Sequence, residues 1–280
     1  HCRVMNISGA ARLAGVMGWP VAHSRSPRLH GYWLECHAID GAYLPLAVRP
    51  ENLHAALEAL PLLGFAGCNL TIPHKEAALR IVAEVTPLAA RIGAINTIIV
   101  KPDGSLCGDN TDAFGFLENL RDQAPNLDLV AGPAVVLGAG GASRAISVGL
   151  LEAGVTEIKL LNRSLERAEK MAADLGPALR PVPWSERNAV LGEATLLVNT
   201  TSLGMVGQPA LDLDLALLPE SAVVNDLVYA PLLTVLLSDA RARGNNIVDG
   251  LGMLLHQARP GFAAWFGTEP TVTAELRDFV

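Results

Sequence analysis

No hydrophobic run in this chain approaches the roughly 18 residues that a membrane-spanning helix needs, so no membrane partner is expected. Cysteine is scarce: Cys2, Cys36, Cys68 and Cys107 are far apart and form no Cys-x-x-Cys. That spacing excludes a disulfide scaffold or a zinc site and makes a reduced cytoplasm the expected home. Positive charge is in deficit, with 21 Lys and Arg against 28 Asp and Glu and a net charge of −7. A nucleic-acid surface is therefore not expected, although local basic pockets are compatible with that balance. There is no internal repeat, low-complexity segment, charge block or flexible linker. The N-terminus has no signal-peptide core, since Arg3 and Arg12 bracket only a short mixed stretch with Asn6 and Ser8. Residues 1–4 precede the first Met and read as added or upstream sequence.

What is present is a well-cored chain of 280 residues, 50% hydrophobic and 18% charged, long for one core and comfortable for two domains. Its organising stretch is residues 134–163. The apolar Ala134-Val135-Val136-Leu137 leads into Gly138-Ala139-Gly140-Gly141-Ala142-Ser143, then a helical run to Gly154, then Glu157–Arg163. Strand, glycine turn, helix and second strand make a βαβ unit that cradles a dinucleotide pyrophosphate. Glycines at 138 and 140 let the backbone approach phosphate without a Cβ, and the helix start offers free N–H groups and a positive dipole end. At the tip of the second strand, where an NAD site carries an acid, stand Asn162-Arg163-Ser164, with Arg167 one helical turn on. Guanidinium groups pair with a 2′-phosphate that a carboxylate would repel, so NADP is the expected cofactor.

The first hundred residues alternate strand and helix. Strands are expected over 12–17, 42–48, 67–71, 95–100 and 106–108, and helices over 27–38, 50–60 and from Pro73 to about Val85. Alternation of this kind implies a largely parallel sheet with helices on both faces. Further helices are expected over 111–120, 165–175, 232–243, 253–259 and near Glu275, and strands near 196–200, 222–226 and 248. The fold class is α/β in two domains. An N-terminal, mostly parallel substrate domain of residues 1–111 is completed by 250–280, and a Rossmann-type domain of residues 112–249 binds NADP. The C-terminal helices are expected to return to the first domain, which would leave the ligand crevice between the two.

Polar side chains gather at the sheet edges of the first domain. Ser24-Arg25-Ser26-Pro27 sits before a helix, and taken alone favours an ordinary cap at Ser26. Two hydroxyls beside free N–H groups also suit a carboxylate. In Asn69-Leu70-Thr71-Ile72-Pro73-His74-Lys75, a Lys where a helix is expected to begin faces an unfavourable dipole. Asn96-Thr97 and Asp109-Asn110-Thr111-Asp112 could be turn formers or a cap, but their density resembles a pocket for a small polyhydroxylated acid.

Taken together, the motifs resemble the shikimate dehydrogenase family from end to end. They are Ser24-x-Ser26-Pro27-x-x-His30, Asn69-x-Thr71-x-Pro73-x-Lys75, Gly93-Ala94-x-Asn96-Thr97, Gly108-x-Asn110-Thr111-Asp112, Gly138–Ala142, Asn162-Arg163-Ser164, Asn199-x-Thr201-x-x-Gly204, Asp226-x-x-Tyr229-x-Pro231-x-x-Thr234 and Asp249-Gly250-x-Gly252-Met253-Leu254-x-x-Gln257-Ala258. The resemblance implies NADPH-dependent, reversible reduction of 3-dehydroshikimate to shikimate in aromatic amino acid (chorismate) biosynthesis. It implies that Ser24 and Ser26 bind the carboxylate and that Lys75 and Asp112 are the catalytic pair. It further implies that Asn96 and Gln257 bind ring hydroxyls and that Thr71 and Tyr229 line the pocket. Gly138, Ala139, Gly140, Gly141, Ala142, Asn162, Arg163, Ser164, Arg167 and Thr200 would hold NADP, with Gly250 and Met253 against the nicotinamide. Gly31 departs from the family's usual Asn, Leu70 from a common Val and Ser164 from a common Thr. None of these changes removes a catalytic group.

The implied chemistry needs no metal. A small acid is the expected partner, and monomer and symmetric dimer are equally open. A quinate/shikimate dehydrogenase with relaxed cofactor use is the alternative within the enzyme class. A non-catalytic nucleotide sensor on this fold is disfavoured by the presence of both Lys75 and Asp112.

Overall fold

Two separate parallel-type sheets, each covered by helices, bury the apolar strands read from the sequence. The computed structural model describes residues 7–280; the stretch before the first Met, with Cys2, lies outside the described residues. Along the chain come β1 (Arg12–Gly18), α1 (Ser26–Cys36), β2 (Gly41–Ala47), α2 (Leu53–Leu62), β3 (Gly67–Leu70), β4 (Glu84–Val85), α3 (Pro87–Ile92), β5 (Thr97–Val100) and β6 (Leu106–Asp109). They are followed by α4 (Asp112–Gln123), β7 (Ala134–Leu137), α5 (Gly141–Glu152), β8 (Ile158–Asn162), α6 (Leu165–Leu175), β9 (Leu179–Pro183), β10 (Leu196–Asn199) and β11 (Val223–Asp226). The described chain ends with α7 (Val235–Ala242), β12 (Asn246–Val248), α8 (Leu251–Phe266) and α9 (Ala274–Phe279). It divides into two units, one running up to Thr111 and resuming at Gln257–Val280, the other Asp112–His256.

In the first unit the sheet order is β2-β1-β3-β5-β6-β4. β1 is parallel to β2 and β3, and β4 is parallel to β6, whereas β5 runs antiparallel to both its neighbours. One sheet face carries α2, whose Leu53, Leu57 and Leu60 recur at helical spacing and pack with Cys68, Leu70 and Ile98. An aromatic group formed by Trp33, Tyr43, Phe262 and Trp265 packs around His30. α3 is capped by Thr86, whose hydroxyl accepts from the Ala89 N–H at 3.2 Å.

In the second unit the strand order is β12-β11-β10-β7-β8-β9 and every pairing is parallel. The order reverses at β7, the topological switch point beside which α/β sheets bind nucleotides. Val135, Leu137, Leu197 and Val224 pack with Leu236 and Leu237 of α7 on one face. On α5, Gly149 faces Ala113 so closely that an added Cβ would meet the Ala113 Cβ at 3.1 Å.

Several expectations need correction. No helix starts at Pro73: the chain makes turns, then a single 3-10 turn over Ala77–Arg80, then β4. The N–H groups of Leu79 and Ile81 bond three residues back, to Glu76 and Ala78, and Glu84–Val85 pair with Cys107–Gly108. The β-branched Ile81, Val82 and Val85 favour this strand exit over a continued helix. The first sheet is largely parallel, as expected, with β5 alone running antiparallel to its neighbours β3 and β6. The helix expected from Pro50 opens as a 3-10 turn over Pro50–Asn52, and the one expected from Leu232 begins only at Val235, after its Thr234 cap. The return to the first unit falls inside α8, so Gly250 and Met253 count with the second. Gly250 packs on the backbone of that unit, where an added Cβ would lie 2.2 Å from the Leu227 carbonyl oxygen.

Candidate active site

In the first unit Asn96, Thr97, Thr111 and Gln257 share one hydrogen-bond network. Asn96, buried at the entry to β5, donates through Nδ2 to Thr111 Oγ1 at 3.0 Å and to Gln257 Oε1 at 3.4 Å. Its Oδ1 accepts from the Thr111 N–H at 2.9 Å and from Thr97 Oγ1 at 2.9 Å. The Thr111 hydroxyl donates to the Gln257 carbonyl oxygen at 2.8 Å. Residues distant in sequence are thus locked to one another, with both functional groups of the Asn96 amide engaged.

Lys75 joins this group through its backbone, its carbonyl oxygen accepting from the Ile95 N–H at 2.8 Å. It lies in a turn after β3 rather than in the first turn of a helix, so no helix dipole opposes its charge there. Thr71 is held by its N–H to the Met17 carbonyl oxygen at 2.9 Å, and its side chain packs over Gly18, where a Cβ would meet its Cγ2 at 2.4 Å. His74 is a packing histidine: it is buried, with Nε2 2.8 Å from the Val48 carbonyl oxygen.

The two serines sit at the start of α1. Ser26 is the first helical residue and Arg25 the cap position, so Ser26 is not the N-cap expected from sequence. The Ser24 hydroxyl accepts from the Ser26 N–H at 3.3 Å, an arrangement Ser adopts in place of a cap. Sequence reasoning gave no role to Tyr43, which stands behind these residues. Its phenol donates to Asn69 Oδ1 at 2.6 Å, and Asn69 Nδ2 in turn donates to the Asn96 carbonyl oxygen at 3.1 Å and to Thr97 Oγ1 at 3.2 Å. Burial holds the phenol well above its ordinary pKa, the Cys68 thiol adds to this, and a hydrogen bond with Ser26 pulls the other way. A lone aromatic in an alternating strand carries no signal of such a role.

In the second unit the glycine turn leads from β7 into α5, with Gly140 at the cap position. Gly138 has φ +109°, a conformation glycine permits, and Ser143 donates to its carbonyl oxygen at 2.6 Å. That bond explains the serine at the sixth position of the fingerprint. A Cβ on Gly140 or Gly141 would meet nothing within 4 Å, so these glycines serve no internal packing and leave open backbone at a helix start. Thr200 Oγ1 donates to the Leu137 carbonyl oxygen at 2.6 Å, which fixes the loop after β10 beside that turn. At the tip of β8, Asn162 Nδ2 donates to the Ser164 carbonyl oxygen at 2.9 Å, and Arg163 and Arg167 are exposed. Open glycine backbone, a helix N-terminus and two exposed guanidiniums fit the donor set of a dinucleotide bearing a 2′-phosphate.

Asp112 opens α4, Met253 lies in the first turn of α8, and Tyr229 follows three residues after Asp226. The buried Asp226 carboxylate, which had no assigned role, accepts from the Val228 N–H at 3.0 Å and from Thr234 Oγ1 at 2.7 Å, shaping the loop that carries Tyr229. A charged residue ending an apolar strand is the signal that could have found it.

Comparison with known proteins agrees across both units. A family model described as the shikimate dehydrogenase substrate binding domain matches residues 16–98, and one described as shikimate / quinate 5-dehydrogenase matches residues 122–205. The shikimate dehydrogenase (NADP(+)) of Paramagnetospirillum magneticum is 63% identical over 274 residues, covering 98% of this chain and 99% of the relative. The structure of shikimate 5-dehydrogenase from Thermus thermophilus in complex with NADP(H) and shikimate is 41% identical with TM-score 0.84, covering 96% of this chain and 98% of that one. Quinate dehydrogenase from Corynebacterium glutamicum in complex with NAD is 31% identical with TM-score 0.89, at 96% and 98% coverage.

Proposed function

Since this chain belongs to the shikimate dehydrogenase family, we propose that it catalyses the NADPH-dependent, reversible reduction of 3-dehydroshikimate to shikimate in aromatic amino acid biosynthesis. The observation that carries this reading is the convergence on the buried Asn96 amide of Thr111 and Gln257, far apart in sequence. A rigid set of neutral donors and acceptors of this kind suits a ring with several hydroxyls.

The Ser24 and Ser26 hydroxyls, at the positive end of the α1 dipole, receive the substrate carboxylate. Asn96 and Gln257 receive ring hydroxyls, and Thr71 and Tyr229 line the pocket. The residues of the glycine turn, with Asn162, Arg163, Ser164, Arg167, Thr200, Gly250 and Met253, would hold NADPH, which when bound would supply the hydride. Negative charge then grows on the carbonyl oxygen, and Lys75 answers it with a positive charge and a proton. Asp112 is the carboxylate partner in this acid–base step, favouring the ammonium form. In the oxidative direction the same lysine takes the hydroxyl proton.

Similarity to an NAD-bound quinate dehydrogenase raises the alternative of quinate with relaxed cofactor use. Quinate has an extra hydroxyl and a saturated ring. The absence of an acid at the tip of β8, with Arg163 and Arg167 present, favours NADP and with it the biosynthetic activity. Steady-state rates with shikimate and quinate, each with NADP and NAD, test this directly. Shikimate with NADP is expected to give the highest kcat/KM, and a higher value for quinate with NAD overturns the assignment.

A further inference from the structure

The turn between β12 and α8 is held by two side-chain amides of α4. Asn119, 1% exposed, donates through Nδ2 to the Asp249 carbonyl oxygen at 2.7 Å. Its Oδ1 accepts from Gln123 Nε2 at 2.6 Å, and Gln123 Oε1 accepts from the Asp249 N–H at 3.3 Å. Three hydrogen bonds thus form a closed ring through the backbone of one residue. A backbone carbonyl can only accept and a backbone N–H can only donate, so both amide orientations are forced. The Asp249 carboxylate is engaged as well. Its Oδ1 accepts from the N–H groups of Leu251 at 3.0 Å and Gly252 at 3.4 Å, at the head of α8.

Gly250 follows directly, packed so closely that an added Cβ would lie 2.2 Å from the Leu227 carbonyl oxygen. The Asp249–Gly250 peptide is therefore held by the Asn119 amide and packed against the loop after β11. On α4, Asn119 comes seven residues after Asp112, close to two full turns. The two share one face of the helix, about 10 Å apart along its axis. A second link joins α4 to α8, where His256 Nε2 stands 2.8 Å from Asp122 Oδ2. All of these residues belong to the second unit. One helix thus carries Asp112 at its start and, near its end, grips the turn that leads to Gly250 and Met253.

We propose that Asn119 is a positioning residue for hydride transfer, fixing the turn that bears Gly250 and Met253 against the helix that bears Asp112. The inference rests on the reading of Gly250 and Met253 as nicotinamide contacts and of Asp112 as partner in the acid–base step. In the reduction, the carbonyl carbon receives the hydride and the oxygen bonded to it receives the proton. The groups that serve the two atoms must stay in register, and a misplacement of about 1 Å costs on the order of 10²-fold in rate. The ring of hydrogen bonds includes no residue assigned to the 2′-phosphate or to the acid substrate. Its loss therefore falls on the chemical step.

Asn119→Ala removes both bonds of this amide. kcat is expected to fall about 10- to 100-fold, while the KM values for shikimate and NADP stay within about 3-fold. With shikimate deuterated at the reacting carbon, the kinetic isotope effect on kcat is expected to rise, because loosened geometry makes hydride transfer limiting. A residue that serves only the fold would lower the Tm and the folded fraction but leave the isotope effect at its native value. Gln123→Ala, at a partly exposed position, removes the brace behind Asn119 and should repeat the pattern more weakly. A native isotope effect in folded Asn119→Ala, or in Gln123→Ala if the first does not fold, overturns the proposal. A loss confined to either KM does the same. If Met253→Ala leaves kcat and the isotope effect unchanged, the nicotinamide reading itself is wrong, an outcome separate from any behaviour of Asn119→Ala.

Discussion

Asn199 and Asp226 close the carboxyl ends of two neighbouring strands on each other, Asn199 Nδ2 donating to Asp226 Oδ1 at 2.9 Å. Asn199 Oδ1 meanwhile accepts from the N–H and hydroxyl of Thr201, at 3.0 and 2.7 Å. Asp226 accepts from the Val228 N–H and the Thr234 hydroxyl. One buried pair thus shapes the loop carrying Thr200 and the loop carrying Tyr229, and through Thr234 it also touches the cap of α7.

This carboxylate should leave a pH signature. Burial raises the Asp226 pKa, and the bonds from Thr234, Val228 and Asn199 oppose that shift without cancelling it. A carboxyl with a raised folded-state pKa contributes stability that is complete below its unfolded value and is lost as pH rises through the folded one. The unfolding free energy of the native protein minus that of Asp226→Asn should therefore fall as pH climbs from about 4, the ordinary carboxyl value, through the raised one, and then level off. Urea midpoints of both proteins across that range measure it, and a difference that grows with pH contradicts the sign. Asp226→Ala, which strands three donors, should cost about 2–4 kcal/mol at neutral pH.

Lys75 is tied into the site by its backbone, so truncating its side chain should leave the fold intact. Lys75→Ala is expected to bind NADPH as the native protein does while turnover falls at least ~10²-fold, the usual loss when acid–base help is removed. Fluorescence titration of NADPH and a steady-state rate separate the two effects. Turnover near the native value rejects Lys75 as the proton carrier.

The exposed guanidiniums after β8 give a test of cofactor choice. Arg163→Ala should raise the KM for NADP about 10- to 100-fold, the scale of a hydrogen bond to a charged group, and leave the KM for NAD nearly unchanged. Arg167→Ala should act in the same direction, more weakly if its hold on the phosphate is single rather than forked. Equal losses with both cofactors would mean that the 2′-phosphate is not what these residues read.

The parts of this structure legible in the sequence are those where local pattern and tertiary role coincide. Residues 134–163 are legible because the glycine turn, the apolar strands and the helix spacing all belong to one contiguous unit. α6 reads with its observed bounds, since Ala168, Met171 and Leu175 recur on one buried face. The stretch after Pro73 misleads because its apolar spacing suits a helix, while its fate is decided by β6, a partner over twenty residues away. β9 escapes notice because Pro181 and Pro183 read as loop, yet both are tolerated on the edge strand it forms. Single polar residues such as Asn96 and Lys75 stand out by their density at the strand ends, while their separate roles are legible only by resemblance. Tyr43 is not legible at all, because its partners His30 and Asn69 come to it from separate elements.

The two glycines of the turn should fail in different ways. At Gly138, φ is +109° and an added Cβ would lie 2.6 Å from Thr200 Oγ1 and 3.2 Å from Thr201 Cγ2. Gly138→Ala therefore combines backbone strain with a contact on a fixed loop and should cost about 1–3 kcal/mol of stability, lowering the Tm. Adding Thr200→Ala removes the nearest contact but not the strain, so it should restore part of that loss. At Gly140 the backbone is extended, and the added Cβ would meet nothing within 4 Å. Gly140→Ala should leave stability within about 0.5 kcal/mol of the native protein. If this turn cradles a pyrophosphate, however, the new methyl occupies the space that close approach of the phosphates requires, and the Kd for NADPH should rise about tenfold or more. Calorimetric unfolding paired with NADPH titration of both variants reads the two effects separately, and native-like NADPH binding by Gly140→Ala would remove the turn from the cofactor site.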